Sequence, residues 1–395
     1  MLLFDMEKLI AIKNHFFFSQ PHQPFFLLAF SNAFISMFLF ALIFKGVFFV
    51  EIEGAHYHAY SLIYTLFTTV FVGFLFTTFP RFSAMQPIPK KHYLPIFGFF
   101  LAGSLLVHVG VFISTVLVIL AMILLFVGHI GAAQVLWHIY QNSTLKDKED
   151  QMWILVAIGF GLLAHLLFIV SFWLPILYDA SIQIATYLYL FLLTFTIAQR
   201  MVPFFSHTPI KKHQERFKVI VGLLALRIFL ELIQSHSSFL VDFFIAYLMG
   251  RELYRWKLPF PNENPLIWVL HIALFWIPVA FFISGVTNIL TLSLGLNFLA
   301  INIHALLIGF LVTILIGFGT RVTIGHSGNK MKADKWVVLL FYWTQVVVVM
   351  RLLVSVAVAN GWGFYLFFDL SVTVWLVLFG LWLSRFAKIL IFKKS

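Results

Sequence analysis

Twelve apolar runs, each close to the length that crosses lipid, follow one another from residue 24 to residue 390 with short polar connections between them. A helix needs roughly 20 residues to span the hydrocarbon core of a bilayer. The runs lie at 24–49, 58–79, 94–111, 114–138, 151–173, 180–200, 217–234, 238–256, 265–285, 298–320, 336–358 and 364–390. The stretch 94–140 is too long for one crossing and divides at Gly110. Charged residues make up 10% of the chain and hydrophobic ones 62%, with a mean hydropathy of +1.00. A soluble domain carries about a quarter charged residues. The reading is an all-α, polytopic transmembrane helix bundle of about twelve helices. A short cytoplasmic segment occupies 1–23, and one transmembrane domain fills 24–390.

The charges set the topology. All but three of the 26 basic residues fall at alternate ends of the runs, and the exceptions, Lys45, Arg227 and Arg351, lie within them. The opposite loops carry Glu51, Glu53 and Asp179 and no basic residue. Cytoplasmic loops are the ones enriched in lysine and arginine, so both termini are expected in the cytoplasm and an even number of helices is required. The net charge of +11 is then a topology signal, and no separate basic domain offers itself to nucleic acid. No cleavable signal peptide is expected, because lysines and histidines precede the first run. With no cysteine, disulfides, iron–sulfur clusters and thiolate metal sites are excluded.

A faint repeat links the second, sixth and tenth runs. They end in "GFLFTTFPRFS" (73–83), "AQRMVPFFS" (198–206) and "GFGTRVTIGHS" (317–327). The second and tenth also begin alike, at His58-Ala59 and His304-Ala305. Helices four apart with similar ends suggest three four-helix units. Chance likeness between short apolar segments is the alternative.

Fifteen histidines is a high number for a lipid-embedded chain. His15, His22, His92, His207 and His213 read as solvated loop residues, His236 as part of an outer turn, and His138 as interfacial. His56, His58, His108, His129, His165, His271, His304 and His326 remain. Ionisable groups inside spans are costly and usually face a cavity, a partner or a cofactor. Neutral imidazole is the commonest protein ligand for metals and a proximal ligand of haem iron. For any one of them a hydrogen bond across a helix interface is the plainer explanation.

Depth sorts the group. His58 opens the second run on the outer side, and His304 lies just inside the outer end of the tenth. His326 follows that run at its inner end, about 33 Å from His304 along a continuous helix axis, so those two cannot share one metal. A bis-histidine haem needs two imidazoles at similar depth on different helices. His58 and His304 meet that requirement, and the small Ala59 and Ala305 leave room for a flat ring. The carboxylates within the runs, Glu231, Asp242 and Asp369, all lie toward the outer half. Ion-coupled transporters place acidic groups near the midplane between interrupted helices, and neither feature is evident. No phosphate-cradling glycine loop and no G-x-S-x-G motif occurs.

Four stretches resemble the NnrS family of bacterial haem- and copper-containing membrane proteins. They are "PFFLLAF" (24–30), "YHAYSLIYTLFTTVFVGFLFTTFPRFS" (57–83), "RMVPFF" (200–205), and "LIWVLHIALFW" (266–276) followed by "NIHALLIGFLVTILIGFGTRVTIGHSGN" (302–329). The last, with its H-A-x-x-x-G start and T-R-x-x-x-G-H-x-G end, is the most specific. Carried over by position, the resemblance points to His58, His271, His304 and His326 as metal ligands. It points to His58, His304, Arg200 and Arg321 as cofactor-binding. The sequence departs from the family pattern at Tyr60 and Ser61, where a histidine and a glutamate are usual, and at Gly103-Ser104, in place of a Gly-Arg pair. A looser, fold-level likeness to the catalytic subunit of haem-copper oxidases fits the three four-helix units. The chain has no His-His dipeptide and no histidine in the sixth run, so that enzyme's copper chemistry is not expected.

The resemblance implies haem of b type, with copper as a second metal, in a multi-pass protein of the bacterial inner membrane. Nitric oxide or a related small molecule would be bound or converted in a nitrosative-stress response. The bilayer and a respiratory electron donor would be its partners. Two other classes stay open: a transporter or channel for a small metabolite or metal ion, and an assembly factor passing haem or copper to respiratory enzymes.

Overall fold

The structure is a computed structural model and describes residues 15–208, 210, 214–328 and 330–393, without the side chains of Gln214 and Arg216. Lys8, Lys13, Lys211, Lys212, His213, Asn329 and Lys394 lie outside the described residues, as does the N-terminal segment up to residue 14. Among the described residues the regular elements are helices, twelve long ones, with no strand. They are α1 (His22–Phe44), α2 (Gly54–Phe82), α3 (Lys90–Gly110), α4 (Thr115–Asn142), α5 (Glu149–Val170) and α6 (Leu177–Phe205). Then come α7 (Gln214–Ile233), α8 (Phe239–Trp256), α9 (Pro265–Leu294), α10 (Ile301–Ser327), α11 (Lys335–Ala359) and α12 (Phe364–Phe392).

Ten of these helices are long and apolar enough to cross a membrane. The two that fall short, α7 and α8, sit where the seventh and eighth crossings were expected. Charge sets them apart: α7 carries Glu215, Arg216, Lys218, Arg227 and Glu231, and α8 carries Asp242, Arg251, Glu252 and Arg255. The break near Gly110 is real. A four-residue turn follows it, and Ser114, in extended conformation, accepts the Leu117 N–H at 3.2 Å to start α4.

The second, sixth and tenth helices share a backbone irregularity. Each begins with a short α-helical piece, passes through eight residues of π-helix and resumes as α-helix. The π-helical runs are Ser61–Thr68, Ile184–Phe191 and Ala305–Val312, and the α-helix that follows has 14, 14 and 15 residues. π-helix is rare and concentrates at functional sites. Three runs of equal length at matching places give the repeat a physical form that letter-by-letter likeness only hinted at. These three helices are also the most enclosed of the ten, 83%, 78% and 78% buried against at most 50% for the others.

Side chains support the wider turns. Where the backbone ladder loosens, carbonyls need other donors. The hydroxyls of Thr68, Thr69 and Thr313 donate to the carbonyls five residues back, those of Ile63, Tyr64 and Ile308, at 2.8, 3.2 and 3.4 Å. The amide nitrogen of Asn32 donates to the Thr65 carbonyl at 2.9 Å.

The chain forms two compact units. The first comprises residues 1–155, 322–330 and 379–395. In it α1 packs closely on α2, so closely that a Cβ on Gly73 would come within 2.5 Å of Phe25. Phe30 stacks on Trp382 of α12 with ring centroids 3.8 Å apart. The second unit comprises residues 156–321 and 331–378. There Trp276 of α9 lies on Gly309 of α10, and its indole N–H donates to Gln345 of α11 at 2.7 Å.

Candidate functional site

In the first unit, His58 stands in the turn ahead of the π-helical run of α2. It is half-buried, and its ring lies 4.3 Å from that of Phe40, centroid to centroid. Its neighbour Tyr57 is fully buried and reaches His108 of α3, with 2.9 Å between the phenol oxygen and Nδ1. His108 Nε2 lies 3.3 Å from the Asn32 side-chain oxygen, and Asn32 Nδ2 reaches both the Thr65 carbonyl and Ser104 Oγ at 2.9 Å. A carbonyl only accepts, so the Asn32 nitrogen faces Thr65 and its oxygen faces His108. His108 therefore carries its proton on Nε2 and accepts from Tyr57 through Nδ1. This network joins α1, α2 and α3. Ser104 is a member of it.

His22 corrects the sequence reading. Expected in a solvated loop, it is the first residue of α1 and only 1% exposed. Its backbone N–H donates to Thr77 Oγ1 at 3.2 Å, and its ring faces that of His326 with centroids 4.8 Å apart. Hydropathy averaged along a chain cannot register one polar group buried at a helix start. His15, His92 and His207 are exposed, as expected of loop residues. His129 and His165 are buried within their helices.

In the second unit, His304 ends the short α-helical piece of α10, and its Nδ1 lies 2.8 Å from the carbonyl oxygen of Ala300. Because that oxygen only accepts, Nδ1 carries the proton and Nε2 carries the lone pair. At the other end of α10, the Arg321 guanidinium sits 3.9 Å above the ring of Phe205. His271 of α9 is fully buried, its Nε2 2.7 Å from the hydroxyl of Ser206, while its Nδ1 has no hydrogen-bond partner. Half-buried Arg200 belongs to the same stretch of α6. His271 and Arg321 thus both touch the C-terminal end of α6, at Ser206 and Phe205, and Arg200 lies earlier in the same helix. His304 stands apart from them on α10, and His58 and His326 belong to the first unit. Among the described residues, no three His, Cys, Asp or Glu side chains gather closely enough to hold a metal ion.

A polar cluster that sequence reasoning did not assemble lies between α6, α7, α8 and α9 of the second unit. Arg227 and Asp242, both fully buried, are joined through Nε and Oδ1 at 2.7 Å. The guanidinium lies 3.9 Å from the ring of Tyr187 and donates to Gln183 at 3.0 Å. The signal was present: a cation within the seventh run and an acid within the eighth, joined by a short turn, must find each other in lipid.

Ten helices able to cross lipid, with imidazoles buried among them, define a multi-pass helical membrane protein. The chain belongs to the NnrS family: the sequence pattern described as "NnrS protein" matches residues 16–394, nearly its whole length. No curated protein matches it. At the family level, membership makes it a membrane protein related to the response to nitric oxide.

Proposed function

We propose that the chain binds haem of b type, that His58 and His304 are the residues that would hold its iron, and that it binds or converts nitric oxide in the bacterial inner membrane. The observation that carries this reading is the orientation of His304. Metal-ligating histidines typically donate their second ring N–H to a carbonyl or carboxylate, which fixes the tautomer and makes the ligating nitrogen more basic. His304 meets that condition through Ala300, with Nε2 as the nitrogen that would hold iron. His58 lies three residues ahead of the π-helical run of α2, and His304 directly ahead of that of α10.

Haem iron held by imidazole supplies one-electron chemistry and, when a coordination position opens, a site for a diatomic ligand. The chain's own part is to orient and to exclude water. Phe40 packs against His58, and the Ala300 carbonyl holds the His304 ring in one rotamer. Arg200 and Arg321 would neutralise the propionates. Copper is proposed at His271 and His326, to be tested by the copper content of wild-type, His271→Ala and His326→Ala protein. A respiratory carrier would supply electrons. The basic loops support a topology with both termini in the cytoplasm.

The test is the absorption spectrum of purified protein, oxidised and dithionite-reduced, beside His58→Ala and His304→Ala. Sharp reduced α and β bands with a strong Soret, lost or broadened in both variants, are expected. A well-folded, colourless wild type that stays colourless after haem reconstitution would overturn the reading and promote a transporter. Intact spectra in both variants would move the ligands to other histidines.

A further inference from the structure

The turn that leads into α10 has a backbone that its own side chains do not explain. Leu299 and Ala300 follow one another at φ 29° and 50°, in the left-handed region that residues with a Cβ rarely adopt. Neither is a glycine, and the Leu299 side chain is exposed, so its burial does not hold the turn. Such residues persist where their surroundings fix them, and they cluster where a ligand is held.

The fixing contacts run from peptide to peptide. The Leu299 N–H donates to Asn297 Oδ1 at 3.1 Å, and the Ile301 N–H donates to the Phe298 carbonyl at 3.0 Å. The Leu299 carbonyl turns to α11 and accepts twice there, from Ser355 Oγ at 3.1 Å and from Arg351 Nη2 at 3.2 Å. Arg351 Nη1 donates to Ser355 Oγ at 2.8 Å. The serine has one hydrogen and two lone pairs, so it gives to the carbonyl and receives from the guanidinium without conflict. Arg351 and Ser355 are four residues apart and share one face of α11. The next carbonyl along the chain, that of Ala300, accepts the His304 backbone N–H at 3.1 Å and its ring Nδ1 at 2.8 Å.

A cation within a membrane run ordinarily meets an acid or extends to the surface. The hydrogen bonds of Arg351 go to neutral oxygens, those of Leu299 and Ser355. We propose that Arg351 is a positioning residue for His304. Its guanidinium, with Ser355, fixes the direction of the Leu299 carbonyl and so the plane of the peptide joined to Ala300. The Ala300 carbonyl is thereby aimed at His304, holds the proton on Nδ1 and leaves Nε2 presented. A planar fork suits this task, because two nitrogens reach the carbonyl and the hydroxyl at once, which a single ammonium does not. What the arrangement means for iron rests on the reading of His304 as a haem ligand. The arrangement itself does not.

The test is nitrogen-15 NMR of purified full-length protein labelled in its histidine rings, with dithionite-reduced absorption spectra of the same samples. Wild type is compared with Arg351→Ala, Arg351→Lys and Ser355→Ala, and His304→Ala assigns the His304 signals. In wild type His304 is expected as one tautomer, protonated on Nδ1. In Arg351→Ala it becomes a mixture of tautomers, and haem affinity falls about 10–100-fold, the usual effect of removing a group that orients a ligating histidine. Arg351→Lys keeps the charge without the fork and recovers only part of both signals. An unchanged His304 tautomer in Arg351→Ala overturns the proposal. Should that variant fail to fold, Arg351→Lys and Ser355→Ala decide, and a wild-type tautomer in both overturns it. A colourless wild type whose His304 signals still move in Arg351→Ala would remove the haem reading and leave the positioning of His304 standing.

Discussion

The phenol oxygen of Tyr57 and Nδ1 of His108 are 2.9 Å apart, and the histidine is held from its other side by Asn32. Each partner satisfies a buried group of the other, and the residue beside Tyr57 is His58. Tyr57→Phe leaves His108 Nδ1 without a donor. It should cost about 1–3 kcal/mol, the penalty of an unsatisfied buried acceptor. His108→Phe should cost a similar amount, and the double variant less than the sum, because removing both partners strands neither. Thermal unfolding in detergent measures this. Strictly additive losses would show that the pair is not a hydrogen-bonded unit.

Close approach of helices makes a second prediction. A Cβ on Gly309 would lie 2.7 Å from the indole of Trp276, whose N–H is committed to Gln345. Gly309→Ala must push the ring aside and is expected to cost about 1–3 kcal/mol, the usual range for overpacking. Gly222, with nothing within 4 Å of its added Cβ, is the internal control. In the helix interior Gly222→Ala should stabilise by up to about 1 kcal/mol. Equal effects at the two glycines would contradict the packing described.

Much of the architecture was legible in the sequence because lipid imposes two long-wavelength signals, run length and the side on which lysine and arginine fall. Those placed twelve helices and the break after Gly110. Features set by single atoms were not legible. In α2 and α10 the π-helical runs are accompanied by hydroxyls, Thr68 and Thr313, that reach carbonyls five residues back, and no hydropathy window contains that information. His22 was misread because it precedes the first apolar run, although a partner on α2, Thr77, draws it inside. Arg227, Glu231 and Asp242 were each visible as unusual residues. That Glu231 and Asp242 both reach Ser238 while Arg227 reaches Asp242 depends on the helix rotation about the α7–α8 turn, which spacing alone does not supply.

His304 offers a prediction with a rescue. Ala300 holds its Nδ1, so Nε2 is the nitrogen presented. In His304→Gly protein the haem spectrum should be lost or converted to a five-coordinate form, and added imidazole should restore the six-coordinate bands. Restoration in His304→Gly but not in His271→Gly would assign the ligand. A His304→Gly spectrum identical to wild type before imidazole is added would remove His304 from the iron.

Arg227 and Asp242 make the last prediction, because a fully buried pair behaves asymmetrically when cut. Forming the pair in an apolar interior gains little net energy, but removing one member strands a charge, at a cost of about 3–5 kcal/mol. Asp242→Asn should therefore be among the most damaging single changes in the second unit. Arg227→Gln with Asp242→Asn removes both charges and leaves amides beside Gln183, Ser284 and Asn288, all able to donate or accept. The double variant should recover most of the loss in thermal unfolding measurements. A double variant as unstable as the single would mean that Arg227 is held in its place by Tyr187 and Gln183 rather than by the carboxylate. The ion pair would then be a consequence of the packing of α6 on α7 and not its cause.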